Sequence, residues 1–213
     1  MDNYQATFEA YDKLAAAYQD KFMDLDLYND TYDSFCQLLD KPQATIFEIG
    51  CGPGNITKYL LAKRPDFKIE AIDIAPNMIE LAQRNNPTAK FEVLDARHIG
   101  NLNRRYDGIM IGFCMPYLSK QDCAKLIKDC NGLLQTGGIL YFSCIEGDYE
   151  KSNVETSSDG KHRIMVYYYE AEYLLSTLFS NEFELIELFR KPYQKSNGTI
   201  DTHLIFIAKK MDA

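Results

Sequence analysis

The sequence predicts an α/β fold: a doubly wound, seven-stranded sheet that is mostly parallel, with an antiparallel C-terminal strand and an N-terminal helical cap. Three observations predict it. Between residues 44 and 146, short apolar runs rich in β-formers alternate with amphipathic helices, which indicates βαβ crossovers and a parallel sheet. Residues 1–40 have a helical repeat, and two further strand-like runs follow near the end of the chain. A length of 213 residues suits a single domain.

The first 40 residues predict a helical lid. Aromatic and apolar residues recur there at intervals of three and four, which places them on one helix face; they are Tyr4, Phe8, Tyr11, Ala15 and Tyr18. The pattern repeats after a polar break near Asp24 and ends at Lys41-Pro42, since a proline disfavours helix in the residue before it.

The middle of the chain predicts the core of the sheet. Five runs are expected to be strands, namely residues 44–49, 67–74, 91–94, 106–113 and 139–145. The helices between them are expected at residues 55–63, 76–84 and 119–134. Ser119, with Asp122 three residues later, resembles a capping box at the start of the last of these helices.

The last third has a different pattern. Residues 147–162 are polar and predict an exposed loop, residues 163–169 an added strand, and residues 170–179 a helix. Residues 183–189 and 202–208 predict two strands joined by a turn at Ser196-Asn197-Gly198; such strands pair antiparallel or lie at an edge. Since no linker is visible, we expect one domain, with a lid (1–40), a cofactor-binding core (44–146) and C-terminal strands with a substrate-side insertion (147–213).

Composition narrows the function classes. The chain has 23 basic and 31 acidic residues, a net charge of −8, and nine of the acids with only two of the bases fall within residues 1–40. Without a basic track, nucleic acid is not expected as a partner. There is no apolar run of about 18 residues, so no membrane span is expected. The start lacks signal-peptide character, and the six scattered cysteines fit reduced thiols, so a cytoplasmic protein is expected, with no metal site.

The most informative stretch is FEIGCGPGNIT, residues 47–57, in which Gly50, Gly52 and Gly54 follow a predicted strand and precede a predicted helix. Glycine permits a tight turn and lets a ligand lie against the backbone. The following helix presents free N–H groups to an anion, and ligands bind at the carboxyl ends of parallel strands. The turn therefore predicts a binding site for a nucleotide-like molecule.

Three carboxylates refine this prediction. Glu48 lies two residues before the first glycine, where it suits a cation and would repel a pyrophosphate. Asp73 ends the second predicted strand, where an acidic side chain can accept hydrogen bonds from ribose hydroxyls. Asp95 ends the third strand at the same edge. The glycine spacing is GxGxG rather than the GxGxxG of dinucleotide-binding proteins.

These motifs resemble those of the class I S-adenosylmethionine-dependent methyltransferases, in their small-molecule branch. FEIGCGPGNIT resembles the first family motif, EAIDIAPNMIELA the second, VLDA the third and YDGIMIGFCMPYL the fourth, while LLQTGGILYFS resembles the stretch that opens the fifth strand. The matches run in the family's order over about half of the chain. The resemblance implies a Rossmann-like fold, S-adenosyl-L-methionine as cofactor and a small-molecule methyl acceptor.

The resemblance also implies a set of cofactor-binding residues. Gly50 and Gly52, with Cys51 and Gly54 in the same turn, would approach the methionine portion, and Glu48 its ammonium group. For the nucleoside, the ribose would be held by Asp73, the adenine faces by Ile74 and Met78, and the adenine edge by Asp95 and the Ala96 backbone. The backbone of Phe113 would lie beside the methionyl group, and Tyr18 would cover the cofactor.

The sequence departs from the family in two places. Pro76 follows Ala75 where a serine or threonine often caps the helix, so that cap is missing. Phe-Cys-Met-Pro-Tyr at 113–117 lacks the Asn/Asp-Pro-Pro-aromatic signature of enzymes that methylate amino groups of nucleobases or glutamine, which argues against such substrates.

No catalytic residue is predicted. Methyl transfer from a sulfonium mainly needs alignment, and a base is needed only if the nucleophile must lose a proton. His98, His162 and His203 are isolated and weak candidates, and Tyr117 could line a pocket. Two alternatives stay open: a cofactor-binding regulator or partner subunit without catalysis, and an NAD(P)-dependent oxidoreductase, which the glycine spacing and Glu48 disfavour. The oligomeric state is not predicted.

Overall fold

A computed structural model describes residues 3–157, 160–195 and 197–212. The N-terminal segment forms three helices, α1 (Asn3–Lys13), α2 (Ala15–Phe22) and α3 (Asn29–Leu38). The predicted helical lid is therefore divided, because the chain changes direction at Leu14 and again between Met23 and Tyr28. No helix among the described residues combines the length and the apolar character needed to cross a bilayer.

The core alternates strands and helices as predicted. Its elements are β1 (Thr45–Ile49), α4 (Asn55–Lys63), β2 (Lys68–Asp73), α5 (Pro76–Asn85), β3 (Lys90–Val93), β4 (Tyr106–Ile111), α6 (Lys120–Leu133) and β5 (Leu134–Ile145). Half of the predicted capping box forms: the Ser119 hydroxyl accepts a hydrogen bond from the Asp122 N–H at 3.2 Å, but the Ser119 N–H donates to the Tyr4 hydroxyl at 2.9 Å and not to the Asp122 side chain. Strand β5 begins at Leu134, five residues before the predicted start, because its first residues pair with Tyr106.

The C-terminal third comprises β6 (Asn153–Thr156), β7 (Arg163–Val166), α7 (Ala171–Ser180), β8 (Phe183–Gln194) and β9 (Ile200–Lys210). The loop predicted at residues 147–162 is wrong in part, since β6 lies within it and pairs antiparallel with β7. The strand predicted at 163–169 ends at Val166, after which Tyr167 donates its N–H to the Pro116 carbonyl. The predicted turn of β8 into β9 includes Ser196, which lies outside the described residues.

The main sheet has seven strands in the order β3-β2-β1-β4-β5-β9-β8. All neighbours pair parallel except β9, which runs antiparallel to both β5 and β8. The predicted fold is confirmed. From β1 the chain moves to β2 and β3 on one side and then to β4 and β5 on the other, so the order reverses beside β1, and ligands of open α/β sheets bind at such a point.

The hydrophobic core has two layers, one on each face of this sheet. Alternating side chains of β1 show the division: Phe47 packs into the layer with α6 and α7, and Ile46 into the layer with α3 and α4. Five of the six cysteines are buried, and all six are free thiols. The two layers hold the carboxyl ends of β1, β2 and β4 at one edge, where the glycine turn begins.

Candidate active site

The glycine turn after β1 has the predicted backbone. Gly50 and Gly52 have φ of +69° and +53°, which an L-residue with a side chain rarely adopts. The N–H groups of Gly50 and Cys51 both donate to the Ile72 carbonyl of β2, at 2.8 and 3.0 Å. A Cβ on Gly52 would lie 3.6 Å from the Tyr18 ring. The turn is thus pinned to β2 with Gly52 facing the lid.

Gly54 has a different role from the other two glycines. It precedes α4 with φ of +82°, and a Cβ there would lie only 2.4 Å from Nδ2 of Asn86. That nitrogen donates to the Gly54 carbonyl at 2.9 Å. The third glycine therefore fits α4 against the end of α5, and it does not line either cavity at the site.

Asp73 holds the turn and the start of α5 together. One carboxylate oxygen accepts the Gly52 N–H and the other the Ala75 N–H, each at 2.9 Å. Burial raises the pKa of this carboxyl group, against the lowering effect of these hydrogen bonds. Each oxygen keeps a lone pair, since an ionised carboxylate has about four acceptor sites, so Asp73 retains the capacity to accept from a ligand hydroxyl.

Asp95 is held by its neighbour Arg97. The guanidinium donates to both carboxylate oxygens at 2.6–3.1 Å, and the Arg97 N–H donates at 2.9 Å. Burial alone would raise the pKa of Asp95, but these bonds outweigh it and lower the pKa. Arg97 also lies 4.2 Å from the Tyr4 ring centroid, so Asp95 is linked to α1 of the lid.

Glu48 lies between β1 and α4 rather than on a cavity wall. It is buried and accepts a short hydrogen bond from the Thr57 hydroxyl, while its Oε1 has no partner. Burial raises the pKa of this carboxyl group to about 8, so it is largely protonated at neutral pH. Glu48 does not line either cavity, so its contact with the ammonium group of the cofactor stays a prediction.

Two cavities meet at the glycine turn. The larger has a volume of about 700 Å³ and the smaller about 90 Å³. Both are lined by the first two glycines of the turn, the end of β4 and the lid, through Tyr11, Tyr18, Gly50, Gly52, Gly112, Phe113 and Tyr117.

The smaller cavity gathers nine of the twelve predicted cofactor-binding residues, namely Tyr18, Gly50, Gly52, Asp73, Ile74, Met78, Asp95, Ala96 and Phe113. Cys51 lines only the larger cavity. Phe113 has φ of +53°, and its N–H donates to the Ser143 hydroxyl at 2.8 Å. The carboxyl ends of β1, β2, β3 and β4 thus contribute to one cleft.

Comparison with known proteins agrees with this geometry. The profile of the family described as "Methyltransferase domain" matches residues 46–138, the stretch that holds the glycine turn, Asp73 and Asp95. This part of the chain is a methyltransferase domain. The methyltransferase family expected from the sequence is thereby confirmed for this stretch of the chain, and S-adenosyl-L-methionine is the cofactor of that class.

Relatives and solved structures extend the comparison. The malonyl-[acyl-carrier protein] O-methyltransferase of Acetivibrio thermocellus is 32% identical over 143 residues, which cover 66% of this chain and 44% of that protein. The trans-aconitate 2-methyltransferase of Methylobacterium radiotolerans is 34% identical over 102 residues, covering 48% and 38%. The chain thus spans less than half the length of these relatives.

A solved structure is similar along nearly the whole chain. The 1,6-didemethyltoxoflavin-N1-methyltransferase of Burkholderia thailandensis superposes with a TM-score of 0.74 over 98% of this chain and 88% of that one, at 18% identity. This likeness covers the lid and the C-terminal strands as well as the methyltransferase domain, so it extends the shared fold beyond residues 46–138.

The lid covers the methyltransferase domain from above the turn. The Tyr11 and Tyr117 hydroxyls form a short hydrogen bond between α1 and the segment after β4. Tyr4 accepts from the Ser119 N–H at 2.9 Å and donates to Asp122. Asp12 contacts α5, and the Thr7 hydroxyl accepts from the Met165 N–H at 3.2 Å. Helix α1 is thus hydrogen-bonded to the segment after β4, to α5 and to β7, all of which contribute to the cavity walls.

The wall of the larger cavity opposite the glycine turn was not predicted. Its polar residues come from Tyr28, which precedes α3, from the end of β6 and from the β8–β9 hairpin; they include Glu155, Tyr193, Lys195, Asp201 and His203. Among these, the sequence singles out only His203, as a weak candidate base. Glu155 falls in the segment expected to be an exposed loop, so no pattern in the sequence marked it; alternation along β9 could have directed His203 inward.

Proposed function

We propose that this protein transfers the methyl group of S-adenosyl-L-methionine to a small molecule by in-line displacement. The observation that carries the proposal is the convergence of Gly50, Gly52, Asp73 and Asp95 on one cleft, which opens beside Phe113 into a second, larger cavity. A two-chambered site of this kind can hold a donor and an acceptor side by side, and alignment of the two supplies most of what methyl transfer requires.

On the donor side, we assign the nucleoside to the smaller cavity. Asp73 would accept from the ribose hydroxyls, Ile74 and Met78 would pack against adenine, and Asp95 with the Ala96 backbone would bind its edge. Arg97 already engages both oxygens of Asp95, so that carboxylate would serve as a fixed acceptor. The methionine portion would lie along Gly50, Cys51 and Gly52, beneath Tyr18.

On the acceptor side, we assign the small molecule to the larger cavity. A volume of about 700 Å³ lies within the range of pockets for small molecules. Eight Phe and Tyr side chains line it, together with aliphatic residues and with polar groups that include Glu155, Lys195 and His203. The name of the Methylobacterium radiotolerans relative specifies trans-aconitate as its acceptor, which supports a compact metabolite as the acceptor here; nucleic acid and membrane partners are not part of the proposal.

Calorimetric titration of the protein with S-adenosylhomocysteine and, separately, with NADH tests the donor assignment. We expect binding heat with S-adenosylhomocysteine and none with NADH. Thermal unfolding should likewise show a raised Tm with S-adenosylhomocysteine only, since ligand at 100 times its dissociation constant adds about 2.7 kcal/mol to the free energy of unfolding. Binding of NADH alone would overturn the proposal in favour of an oxidoreductase.

A methyl-release assay over a panel of carboxylates, amines, phenols and thiols then tests turnover. Product formed with at least one class is the expected result. Binding of S-adenosylhomocysteine without methylation of any acceptor class would indicate the alternative hypothesis, a regulator or partner subunit that binds the cofactor without catalysis.

A further inference from the structure

His203 is a buried polar residue on the wall of the larger cavity. It lies on β9, is only 6% exposed, and lines the larger cavity. Its ring stacks on Tyr193 at 4.8 Å between centroids and meets the Phe113 ring at 4.6 Å. Since Phe113 also lines the smaller cavity, His203 stands one residue away from the proposed donor site.

Tyr28 fixes which nitrogen of His203 carries the proton. Its hydroxyl lies 2.7 Å from Nδ1, and within the described ranges this is the only hydrogen bond that the structure gives it. Leaving a buried hydroxyl without an acceptor costs about 1–3 kcal/mol, so the Tyr28 hydroxyl donates to Nδ1. A neutral imidazole then carries its proton on Nε2.

The Nε2–H group opens on the cavity. No hydrogen bond to Nε2 is formed by the residues that the structure describes. Among the described residues, the side-chain oxygens and nitrogens that are fully buried and lack a hydrogen bond are Glu48 Oε1 and Glu170 Oε2. Nε2 of His203 also lacks a hydrogen bond but is not one of these atoms, so it is accessible from the cavity. Burial, with the charge of Lys195, lowers the pKa of His203 to about 4, so at neutral pH this ring is a donor without positive charge.

The charged groups around this wall are nearly balanced. Lys195 lies 3.2 Å from Glu155 and 3.3 Å from Asp201, and Lys21 of α2 lines the same cavity. Across the strand from His203, Lys191 pairs with Asp30. The cavity wall therefore has no strong net charge, and recognition of an acceptor group depends on directed donors such as Nε2–H.

We infer that His203 is the specificity-determining residue of the acceptor site: its Nε2–H donates a hydrogen bond to an oxygen acid that arrives already ionised, a carboxylate in the first instance. The inference rests on the proposed function. In the transfer, the carboxylate oxygen forms the new bond to the methyl carbon while the carbon–sulfur bond breaks and sulfur keeps its electron pair. Anion and sulfonium become a neutral ester and a neutral thioether, and no proton moves.

Two properties of the cavity agree with this chemistry. A reaction that annihilates opposite charges is favoured in surroundings less polar than water, and eight Phe and Tyr side chains line part of this cavity. Two other titratable groups beside the turn also hold their protons, since burial raises the pKa of Tyr117 to about 12 and the pKa of the Cys51 thiol well above its ordinary value. The two carboxylates of the wall, Glu155 and Asp201, are both paired with Lys195, and an oxygen that arrives ionised needs no base.

The test uses the whole protein, labelled with ¹⁵N-histidine and saturated with S-adenosylhomocysteine. We expect the His203 resonances to report a protonated Nε2 and a bare Nδ1. Titration with acetate, benzoate and trans-aconitate is expected to shift Nε2–H with at least one of them, and titration with benzylamine is expected to leave it unchanged. A bare Nε2, or a response to benzylamine and to none of the carboxylates, overturns the inference.

Variants separate recognition from folding. His203→Phe keeps the ring stack but removes the donor, and we expect the affinity for the responding carboxylate to fall about 10- to 100-fold with S-adenosylhomocysteine affinity unchanged. His203→Gln, whose amide keeps a donor near Nε2, is expected to restore part of the loss. If His203→Phe does not fold, the double variant Tyr28→Phe/His203→Phe, which leaves no buried hydroxyl unpaired, takes its place. If His203→Phe binds the carboxylate as tightly as the unaltered protein does, the inference is overturned. If the unaltered protein does not bind S-adenosylhomocysteine, the proposed function is overturned instead.

Discussion

The Asp12 carboxylate caps helix α5 from a different part of the chain: its Oδ1 accepts the backbone N–H of Asn77 at 2.8 Å. The Asn77 side chain returns hydrogen bonds to the Asp12 carbonyl and Oδ2, each at 3.1 Å. Helix α5 begins at Pro76 after Ala75, which provides no side-chain cap. The cap that the sequence lacks at its usual place is thus supplied by the lid, and this couples α1 to the strand end that carries Asp73.

Removing this cap should destabilise the protein. Asp12→Ala is expected to lower the free energy of unfolding by about 1 kcal/mol, since substitution of a capping side chain by alanine typically has that effect. Urea denaturation measures it. Asp20→Ala, which alters an exposed acid of α2 in the same charged segment, serves as control, and an equal loss in both variants would show that net charge rather than capping is responsible.

The third glycine of the turn should tolerate no side chain. Gly54→Ala is expected to lower the free energy of unfolding by about 2 kcal/mol or more, because φ of +82° is strained for alanine and its Cβ would press on Asn86. Gly132→Ala in α6, where a Cβ meets no atom within 4 Å, is expected to raise it by up to about 1 kcal/mol. Chemical denaturation of both variants checks the pair, and similar effects would contradict the role given to Gly54.

Asp73 should matter for ligand binding beyond its role in the turn. Asp73→Ala is expected to weaken S-adenosylhomocysteine binding at least about tenfold, since hydrogen bonds to an ionised carboxylate contribute about 1.5–3 kcal/mol. Asp107→Ala is the matched control: that carboxylate also accepts a backbone N–H, from Thr45 at 2.8 Å, but at the start of β4. Calorimetry should show its affinity unchanged, and equal weakening in both variants would indicate a general loss of structure.

Glu48 should make stability depend on pH. Its ordinary pKa of 4.5 is raised by burial to about 8 in the folded protein, so the folded state retains a proton that the unfolded state has released. The associated stability is complete below pH 4.5 and is lost as pH rises through 8, by up to about 5 kcal/mol.

Glu48→Gln removes this proton and cannot show that dependence. Thermal or urea unfolding of both proteins without ligand from pH 5 to pH 8.5 should give a free-energy difference that moves steadily in favour of the variant. A difference that is constant across this range would mean that Glu48 is already ionised in the folded protein.

The parallel core could be predicted because its signal is local. Strands β1, β4 and β5 are apolar, mostly buried runs bounded by turn residues, and the carboxyl-end position of Asp73 and Asp95 follows from the order of the elements alone. Strand β6 could not be predicted, because Asn153, Glu155 and Thr156 are polar and the strand exists only through its pairing with β7.

The sequence predicts more of the lining of the smaller cavity than of the larger one. The turn motif and the strand ends lie within about 70 residues of one another, whereas Tyr28 and His203 are 175 residues apart in the chain and meet only through the antiparallel placement of β9. The motif spacing identifies Gly54 and Glu48, but it does not show that neither residue lines a cavity.

The lid lines both cavities, whereas the β8–β9 hairpin lines only the larger one. The residues 46–138 matched by the methyltransferase family contain most of the residues proposed to bind the donor, while Tyr28, Glu155, Lys195 and His203 all lie outside that stretch. Likeness within that stretch therefore informs about the methyl source and is silent about its recipient. Substitutions in the segments that flank residues 46–138 are therefore expected to change which methyl acceptor binds, while the residues around the glycine turn stay the same.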